Sequence, residues 1–231
     1  MSWLTDLRTF SASSESENSR TNSISHFTRP ESVREHLTAS VKALSVNFLS
    51  AEDYLPVMDI ESCMLGRRSI RAYRHGDVPD AVIRFGLELA NAAPSAGNLQ
   101  AREFIVVTEE SVKKALSEAA LGQEGPIAAP VCVVFCANLE RIESYGRRGS
   151  DLYVLQDVAA SIENFLLYIH SQGFGAVWIG AFNESGVSRA LRLPHYIRPL
   201  AIVPVGIPGE VPSPPSKRPL DEMVHRETWS D

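Results

Sequence analysis

The chain has 231 residues, of which 44% are hydrophobic and 22% are charged, and its formal net charge is -6. This length allows one substantial domain, with or without appendages, whose core needs no disulfide or metal ion to hold it together. Because an acidic surface gains nothing from contact with polyanions, the charge argues against general binding to nucleic acid or to an anionic membrane. We therefore expect neither as a partner.

The first 54 residues divide into two segments. The serine-rich run at residues 11–25 offers few apolar side chains to offset its ordering entropy, so we predict a flexible tail over residues 1–29. An organelle transit peptide is the weaker alternative, because acidic residues dilute its basic character. From residue 30 apolar side chains recur every three or four positions, which predicts an amphipathic helical arm over residues 30–54.

Residues 55–231 are predicted to form the folded domain. A helix begins near Pro56 and leads to a group of arginines, which therefore lie at or just past a helix end. A second helix starts near Val82 and stops before Pro94, because the residue before a proline disfavours helical backbone. A turn and a strand from Phe104 follow.

Helices and strands continue to alternate irregularly through the second half of the chain. We predict a helix over 112–120, the strand V-C-V-V-F-C-A, and a long helix over 152–171 whose apolar residues cover more than one face. The strand A-V-W-I-G-A-F, a short helix over 185–191, the strand L-A-I-V-P-V-G and a proline-rich tail from Pro208 complete the domain. Because strict β-α-β spacing is missing, this order predicts an α+β sandwich.

The three cysteines, Cys63, Cys132 and Cys136, form no C-x-x-C motif, so neither a disulfide framework nor a zinc site is expected. Cys132 and Cys136 lie four positions apart on a predicted strand and should be buried on one face. No apolar run approaches the roughly 20 residues that span a bilayer, and the N-terminus lacks a secretory apolar region. We expect a soluble, cytoplasmic protein with reduced thiols.

Several common chemistries find no support in the sequence. The run G-F-G-A-V-W-I-G from Gly173 leads into a predicted strand, whereas a dinucleotide fingerprint leaves a strand for a helix. Neither G-x-x-x-x-G-K nor H-E-x-x-H occurs, and the six histidines show no spacing typical of a nucleophile and its base. If the chain is an enzyme, we expect a cofactor to carry the chemistry, with no catalytic side chain and no metal.

Five motifs occur in an order and spacing that resemble the FMN-dependent nitroreductase family. They are R-R-S-I-R-A-Y from Arg67, A-P-S-A-G-N-L-Q from Ala93, Q-D-V-A-A-S-I-E-N from Gln156, G-F-G-A-V-W-I-G-A-F from Gly173 and K-R-P-L-D-E-M-V-H from Lys217. Together they cover about three quarters of the chain. The resemblance implies a nitroreductase-like sandwich of a mixed, mainly antiparallel sheet with flanking helices. It also implies an intertwined homodimer with FMN bound between the subunits.

The resemblance assigns phosphate and ring contacts to the arginine-rich motif. By similarity, Arg67, Arg68 and Ser69 bind the FMN phosphate, and Arg71 reaches the N1 and O2 edge of the flavin. Guanidinium suits phosphate because its planar fork donates two parallel hydrogen bonds and stays charged. The tail that carries Lys217 and Arg218 is expected to close over the phosphate.

The other motifs are expected to contact the ribityl chain and the ring. By similarity, the loop with Pro94, Ser95, Ala96, Asn98 and Gln100 serves the partner subunit's site. The segment Trp178, Ile179, Gly180 and Ala181 is expected to offer the backbone N–H groups of Gly180 and Ala181 to flavin N5 and O4. Trp178 fits a place in the core equally well. Gln123 is a weaker candidate for the N3 edge.

The resemblance also implies the reaction. We expect ping-pong hydride transfer from NAD(P)H through flavin N5 to a small electron acceptor such as a nitroaromatic or a quinone. The alternatives are a specialised enzyme of the same fold, namely a reductive dehalogenase, a flavin-consuming enzyme or a cofactor-biosynthesis reductase, or else a non-catalytic flavin-binding module. Ala101 and Arg102 stand where many relatives have Pro and Trp, so this sequence departs from the family pattern there.

Overall fold

A computed structural model describes residues 58–229, which lie within one compact unit, Leu49–Asp231. The predicted tail at 1–29, the predicted arm at 30–54 and the predicted helix start at Pro56 lie outside the described residues. The main helices are α1 (Ile60–Gly66), α2 (Asp80–Asn91), α3 (Glu110–Ala119), α4 (Gly125–Ala128), α5 (Val154–Ser171) and α6 (Glu184–Leu191). Short helical turns, Glu143–Tyr145, Gly146–Arg148 and Gly149–Tyr153, lead directly into α5. The strands are β1 (Tyr73–Arg74), β2 (Arg102–Val107), β3 (Val131–Asn138), β4 (Gly175–Ala176) and β5 (Ile197–Pro208).

Side-chain caps fix two of the helix starts. The Asp59 carboxylate accepts from the Ser62 N–H at 2.9 Å at the start of α1. Hydrogen bonding by the Ser62 side chain, followed by its N–H, lowers the pKa of Asp59. At the start of α6 the Asn183 side chain accepts from the Gly186 N–H at 2.7 Å. Such caps satisfy backbone donors that have no partner in the first helical turn.

The strands form one open sheet in the order β1-β5-β3-β2, and β4 also pairs directly with β5, through Gly206 and Val205. All the strand pairs are antiparallel. The only parallel pairing in the described residues is the isolated bridge between Ser69 and Ala176. A register shift between Phe135 and Cys136 bends β3 against β5. The mixed, mainly antiparallel sheet predicted above is thereby confirmed.

Helices cover both faces of this sheet, as the α+β prediction requires. One face buries Val133 and Phe135 of β3 against α2 and α5. The other face buries Cys132, Val134 and Cys136 against α3 and α6. The alternation along β3 follows from the two-residue period of a strand. It confirms that the two cysteines share one buried face, where burial raises the pKa of both thiols to about 12.

The stretch Glu143–Ser171 is a helical segment of 29 residues that contains an 18-residue window with a mean hydropathy of 1.2, so by length and composition it could cross a membrane. This differs from the expectation that no apolar run approaches that length. Within the fold, however, the segment supplies core residues. Val154, Ile162, Phe165 and Ile169 of α5 are fully buried under the sheet. The long apolar helix therefore contributes its apolar side chains to the protein core.

Two short elements and one strand length differ from the sequence prediction. The prediction omitted β1, with two residues, and α4, with four, because neither is long enough to show a period. The predicted strand A-V-W-I-G-A-F is wrong in extent: pairing covers Gly175–Ala176, and only Ile179 pairs again, with Ile202. The chain bends away from β5 around Trp178, which leaves Gly180 and Ala181 outside the sheet.

Candidate functional site

The basic cluster, which we define as Arg67, Arg68, Ser69 and Arg71, begins where α1 ends. The Nη1 of Arg68 donates to two backbone carbonyls at this helix end, those of Leu65 at 2.7 Å and of Arg67 at 2.8 Å. Cations are favourable there because the last carbonyls of a helix lack partners and carry partial negative charge. The helix end thus orients Arg68. Among the described residues, its Nε and Nη2 have no acceptor.

Helix α5 lies beneath the basic cluster. The Nε of Arg67 is 3.8 Å from a carboxylate oxygen of Glu163. His170 lies against Gly66, with its Nε2 3.1 Å from the position that a Cβ would take there. Burial, followed by the charges of Arg67 and Arg68, lowers the pKa of His170. A neutral imidazole is therefore favoured below the two arginines.

A short parallel contact fixes the basic cluster to the segment after β4. Ser69 bridges to Ala176, and the Ile70 N–H donates to the Ala176 carbonyl at 3.0 Å. A Cβ on Gly175 would lie 2.8 Å from the Cβ of Ile70, so this close approach requires glycine. The arginines and the W-I-G-A segment are thereby held side by side.

The W-I-G-A segment combines one buried anchor with exposed backbone. Ile179 is buried and exchanges two hydrogen bonds with Ile202, at 2.9 and 3.0 Å. Trp178 is 40% exposed, so the core alternative for this residue is wrong. Gly180 and Ala181 are exposed, and within residues 58–229 neither N–H has an acceptor. A Cβ on Gly180 would meet only the Trp178 Nε1, at 3.8 Å, so the backbone is open to a ligand.

Gln123 lies next to this exposed backbone. Its Nε2 donates to the carbonyl of Ala181 at 3.1 Å and to that of Ala120 at 3.0 Å. The Gln123 carbonyl accepts from the Ser117 hydroxyl at 2.6 Å, which holds the turn after α3. Gln123 therefore lies beside Ala181, and its amide donor is engaged with two protein carbonyls.

Arg71 lies at the edge of the basic cluster, on the side of β5. Its backbone N–H donates to Glu210 Oε1 at 2.5 Å, and the Ala72 N–H donates to the same oxygen at 3.1 Å. These two bonds lower the pKa of Glu210. The Arg71 side chain is exposed, with its Nη1 3.4 Å from the Ser69 carbonyl. The guanidinium thus extends from a backbone that Glu210 holds in place.

The 94–100 loop is a tight turn with left-handed backbone at three positions. Gly97, Asn98 and Gln100 have φ of 57°, 55° and 51°. The Ser95 Oγ accepts from the Gln100 N–H at 3.0 Å, so the two ends of the turn are bonded. The Gln100 Nε2 donates to the Asn98 carbonyl at 3.2 Å. A non-glycine residue adopts this backbone only where its surroundings favour it.

Two charged residues that sequence reasoning missed hold this loop from outside. Both carboxylate oxygens of Asp157 accept from the Ala96 N–H, at 3.0 and 3.2 Å. Asp157 is 6% exposed, and this burial raises the pKa of its carboxyl. Arg141 donates to the Gln100 carbonyl at 2.7 Å and to Glu103 at 2.6 Å. The only sequence signal was Asp157's place in the Q-D-V-A-A-S motif.

The two residues that depart from the family pattern are both buried. Ala101 is fully buried, and Arg102 is 3% exposed. Arg102 donates to backbone carbonyls at the end of α2 and to the Ser161 hydroxyl at 2.8 Å. Burial lowers the pKa of Arg102. The side chain therefore points into the protein behind the 94–100 loop.

The basic cluster and the 94–100 loop lie at opposite edges of the sheet. Ser69 pairs with Ala176 at the β4 edge, whereas the loop leads into β2 at the other edge. With strands about 4.8 Å apart, β4 and β2 are separated by three spacings, or about 14 Å. The chain thus brings together the basic cluster, Gln123 and the W-I-G-A segment. It does not bring the loop to them.

The C-terminal candidates Lys217 and Arg218 lie on an exposed segment after β5. Among the described residues, no hydrogen bond or ion pair joins either of them to the basic cluster. The same part of the chain holds no group of three or more His, Cys, Asp or Glu side chains arranged for a metal ion.

Comparisons with known proteins identify the family that this chain resembles. Residues 64–126 and 119–207 match the model of the Nitroreductase family. The NADH dehydrogenase of Thermus thermophilus is 33% identical over 201 residues, which cover 75% of this chain and 98% of that protein. The FMN reductase of Bacillus subtilis is 28% identical over 185 residues, with 74% of each chain covered. The crystal structure of nitroreductase A from Vibrio parahaemolyticus superposes with a TM-score of 0.69 at 26% identity, covering 74% of this chain and 77% of that one.

Proposed function

The chain belongs to the nitroreductase family, and we propose that it is an FMN-dependent oxidoreductase that takes electrons from NAD(P)H and delivers them to a small acceptor. We further propose that it works as a cytoplasmic homodimer. The observation that carries the proposal is the open backbone of Gly180 and Ala181, held beside the basic cluster by the bridge between Ser69 and Ala176.

The residues present fit a flavin mononucleotide. A phosphate needs cationic donors, and Arg68 has two guanidinium nitrogens without acceptors in the described part of the chain. A flavin ring is flat and needs unobstructed access to backbone donors, and no side chain covers Gly180 or Ala181. The donors are therefore cationic at one end of the site and uncharged backbone groups at the other. This matches FMN, which has an anionic phosphate at one end and an uncharged polar ring at the other.

In this proposal each part of the chain binds a different part of the cofactor. Arg67, Arg68 and Ser69 bind the phosphate, and the exposed Arg71 neutralises charge at the edge of the ring. The N–H groups of Gly180 and Ala181 would donate to the ring and orient it. When bound, FMN supplies the redox chemistry, in which electrons arrive from NAD(P)H as hydride and leave to the acceptor in a ping-pong order. The protein binds and orients, and no side chain is required as acid or base.

The remaining candidates complete the site in the dimer. Because the 94–100 loop lies about three strand spacings from the basic cluster of its own chain, we propose that Ser95, Asn98 and Gln100 contact the FMN of the partner subunit. Lys217 and Arg218, on their exposed segment, are proposed to close over the phosphate. Two-fold symmetry would then give two identical sites per dimer.

Anaerobic mixing of the FMN-loaded protein with NADH and, separately, with NADPH tests the proposed activity. We expect rapid loss of the visible absorbance of the oxidised flavin, and its return when an acceptor is added. Free FMN in the same buffer is the control, because it reacts slowly without a protein to position the nicotinamide. A bound flavin that stays oxidised with both donors would contradict an oxidoreductase and identify a flavin-binding module.

The acceptor decides between a general nitroreductase and a specialised enzyme of the same fold. We expect nitroaromatics and quinones to reoxidise the reduced protein faster than halogenated aromatics or free flavins. The measurement is the rate of flavin reoxidation over a panel of these four classes. A strong preference for halogenated aromatics would identify a reductive dehalogenase instead, and a strong preference for free flavins would identify a flavin reductase.

A further inference from the structure

Arg102, the first residue of β2, places a guanidinium inside the protein, where it is 3% exposed. Its Nη2 donates to the carbonyls of Asn91 and Ala93, both at 2.7 Å, and its Nη1 donates to the Ser161 hydroxyl at 2.8 Å. Burying a cation is costly unless such partners replace the water it has lost. Nη1 and Nη2 have these partners, whereas the buried Nε has none among the described residues. These bonds therefore determine where Arg102 and its partners lie.

The carbonyls that Arg102 binds belong to the end of α2 and the chain just after it. Helix α2 ends at Asn91, and the last carbonyls of a helix have no partner within the helix. The Arg102 Nη1 also lies 3.4 Å from the Pro94 carbonyl. Arg102 comes directly after the 94–100 loop in sequence, whereas Asn91, Ala93 and Pro94 precede it or begin it. One side chain thus joins the two ends of the loop.

Helix α5 provides a second attachment from the same face. Asp157 and Ser161 are one helical turn apart, so both point toward the loop. Ser161 binds Arg102, and Asp157 accepts from the Ala96 N–H within the loop. The loop is therefore held at both ends by Arg102 and near its start by Asp157.

The held conformation is one that an unrestrained loop would leave. Asn98 and Gln100 have φ of 55° and 51°, in the left-handed region that costs a non-glycine residue free energy. Such backbone persists only where the surrounding structure enforces it. Since Ser95, Asn98 and Gln100 carry the side chains aimed at the ligand in the proposed function, their placement depends on what enforces this turn.

We propose that Arg102 is a positioning residue for FMN: it fixes the 94–100 loop in the conformation that presents Ser95, Asn98 and Gln100 to the cofactor. Arg102 itself does not contact the cofactor, because it lies behind the loop in the protein interior. This inference rests on the proposed function of the loop. It gives a specific role to Arg102, a residue at which this chain departs from the family pattern.

The test compares Arg102→Met with the wild-type dimer. FMN affinity is measured by quenching of flavin fluorescence, well below the melting temperature of each variant, and the visible circular dichroism of the bound flavin is recorded at saturation. We expect the Kd for FMN to rise at least tenfold and the dichroic bands to change. Arg102→Lys should recover part of the affinity, because an ammonium group can still bind one or two of the carbonyls.

Lys113→Met is the matched control for a general loss of stability. Lys113 is also buried, at 9% exposed, and its Nζ donates to the Ala129 carbonyl at 2.8 Å, away from the 94–100 loop. We expect this variant to melt at a lower temperature but to keep its Kd for FMN within twofold. An equal rise in Kd for Lys113→Met and Arg102→Met would overturn the proposal.

The proposal is also overturned if folded Arg102→Met keeps both its Kd and its dichroic bands. If Arg102→Met does not fold, Ser161→Ala is used instead, because it removes one of the Arg102 acceptors. It should raise the Kd for FMN about threefold, and an unchanged Kd would likewise overturn the proposal. These results differ from a failure of the proposed function, in which the wild-type protein itself would not bind FMN or would not be reduced by NAD(P)H.

Discussion

The basic cluster and the 94–100 loop differ in what holds their polar groups. In the cluster, Arg71 extends into solvent, and Arg68 is fixed through one nitrogen only. In the loop, the Ser95 hydroxyl, the Ala96 N–H and the Gln100 carbonyl all have partners within the protein. The basic cluster therefore presents charged groups with few partners in the protein, whereas the 94–100 loop has a conformation that its hydrogen bonds fix.

This difference predicts how each region responds to substitution. Charges that are free before binding contribute to ligand affinity with little effect on folding, since the folded protein makes few bonds with them. A loop whose polar groups are used internally contributes first to its own structure. Variants in the cluster should thus change binding alone, whereas variants in the loop should change stability as well.

The largest effect is expected for Arg68→Gln. A hydrogen bond to a charged group contributes about 1.5–3 kcal/mol, so the Kd for FMN should rise about 10- to 100-fold while the melting temperature stays within about 2 °C. Fluorescence titration and thermal melts measure the two quantities. Arg74→Gln is the matched control, because Arg74 is an exposed arginine outside the cluster that binds the Pro208 carbonyl. Equal losses of affinity in both variants would show that the basic cluster is not part of the FMN site.

A smaller effect, now on stability, is expected for Gly97→Ala in the loop. Gly97 has a φ of 57°, which costs alanine about 1–2 kcal/mol. In addition, its Cβ would lie 2.5 Å from the Tyr145 hydroxyl. Denaturant unfolding should show this loss, and adding Tyr145→Phe should restore part of it by removing the hydroxyl. If the double variant is no more stable than Gly97→Ala, contact with Tyr145 does not shape the loop.

The smallest effect is expected from His170 beneath the cluster. Its pKa is lowered in the folded state, so below about pH 6.5 the unfolded chain binds a proton that the folded protein resists. Stability contributed by neutral His170 is therefore complete above that pH and is lost as the pH falls, by less than about 1.4 kcal/mol per pH unit. As the pH is lowered from 8 to 5, the melting temperature of the wild type should fall more steeply than that of His170→Asn. Identical slopes would show that burial and the two arginines do not lower the pKa of His170 in the folded protein.

Much of the fold could be predicted from the sequence because its long elements repeat a clear pattern. The buried helix α5 and the strand β3 show apolar residues at the periods of a helix and a strand, and both are confirmed. The short elements β1 and α4 carry too few residues to show a period. The strand predicted at A-V-W-I-G-A-F is shorter in the structure than in the prediction. Its composition favours pairing along the whole segment, but the chain turns away after Ala176.

The candidate site divides in the same way. Motifs pointed to the basic cluster and the W-I-G-A segment as candidates, because the residues of each are close together in sequence. The supports of the 94–100 loop could not be found in this way. Asp157 lies 61 positions from Ala96, and Arg141 lies 41 positions from Gln100. Such contacts depend on how α5 and β3 pack, which local sequence does not encode.

The central claim is that the basic cluster of one chain and the 94–100 loop of another form each FMN site, and mixed dimers test it directly. One chain carries Arg68→Gln. The other carries Asn98→Asp and Gln100→Glu, which keep the side-chain shapes while adding negative charge. Two different affinity tags isolate the mixed dimer, and the number of FMN molecules bound with wild-type affinity is counted by titration.

If each site is shared, one site of this mixed dimer receives both defects and the other receives neither, so one FMN per dimer should bind with wild-type affinity. Placing all three substitutions on one chain, beside a wild-type partner, should leave no such site, because each site then contains one defect. The reverse pattern, with no tight site in the first dimer and one in the second, would show that each chain builds its own site and would contradict the account.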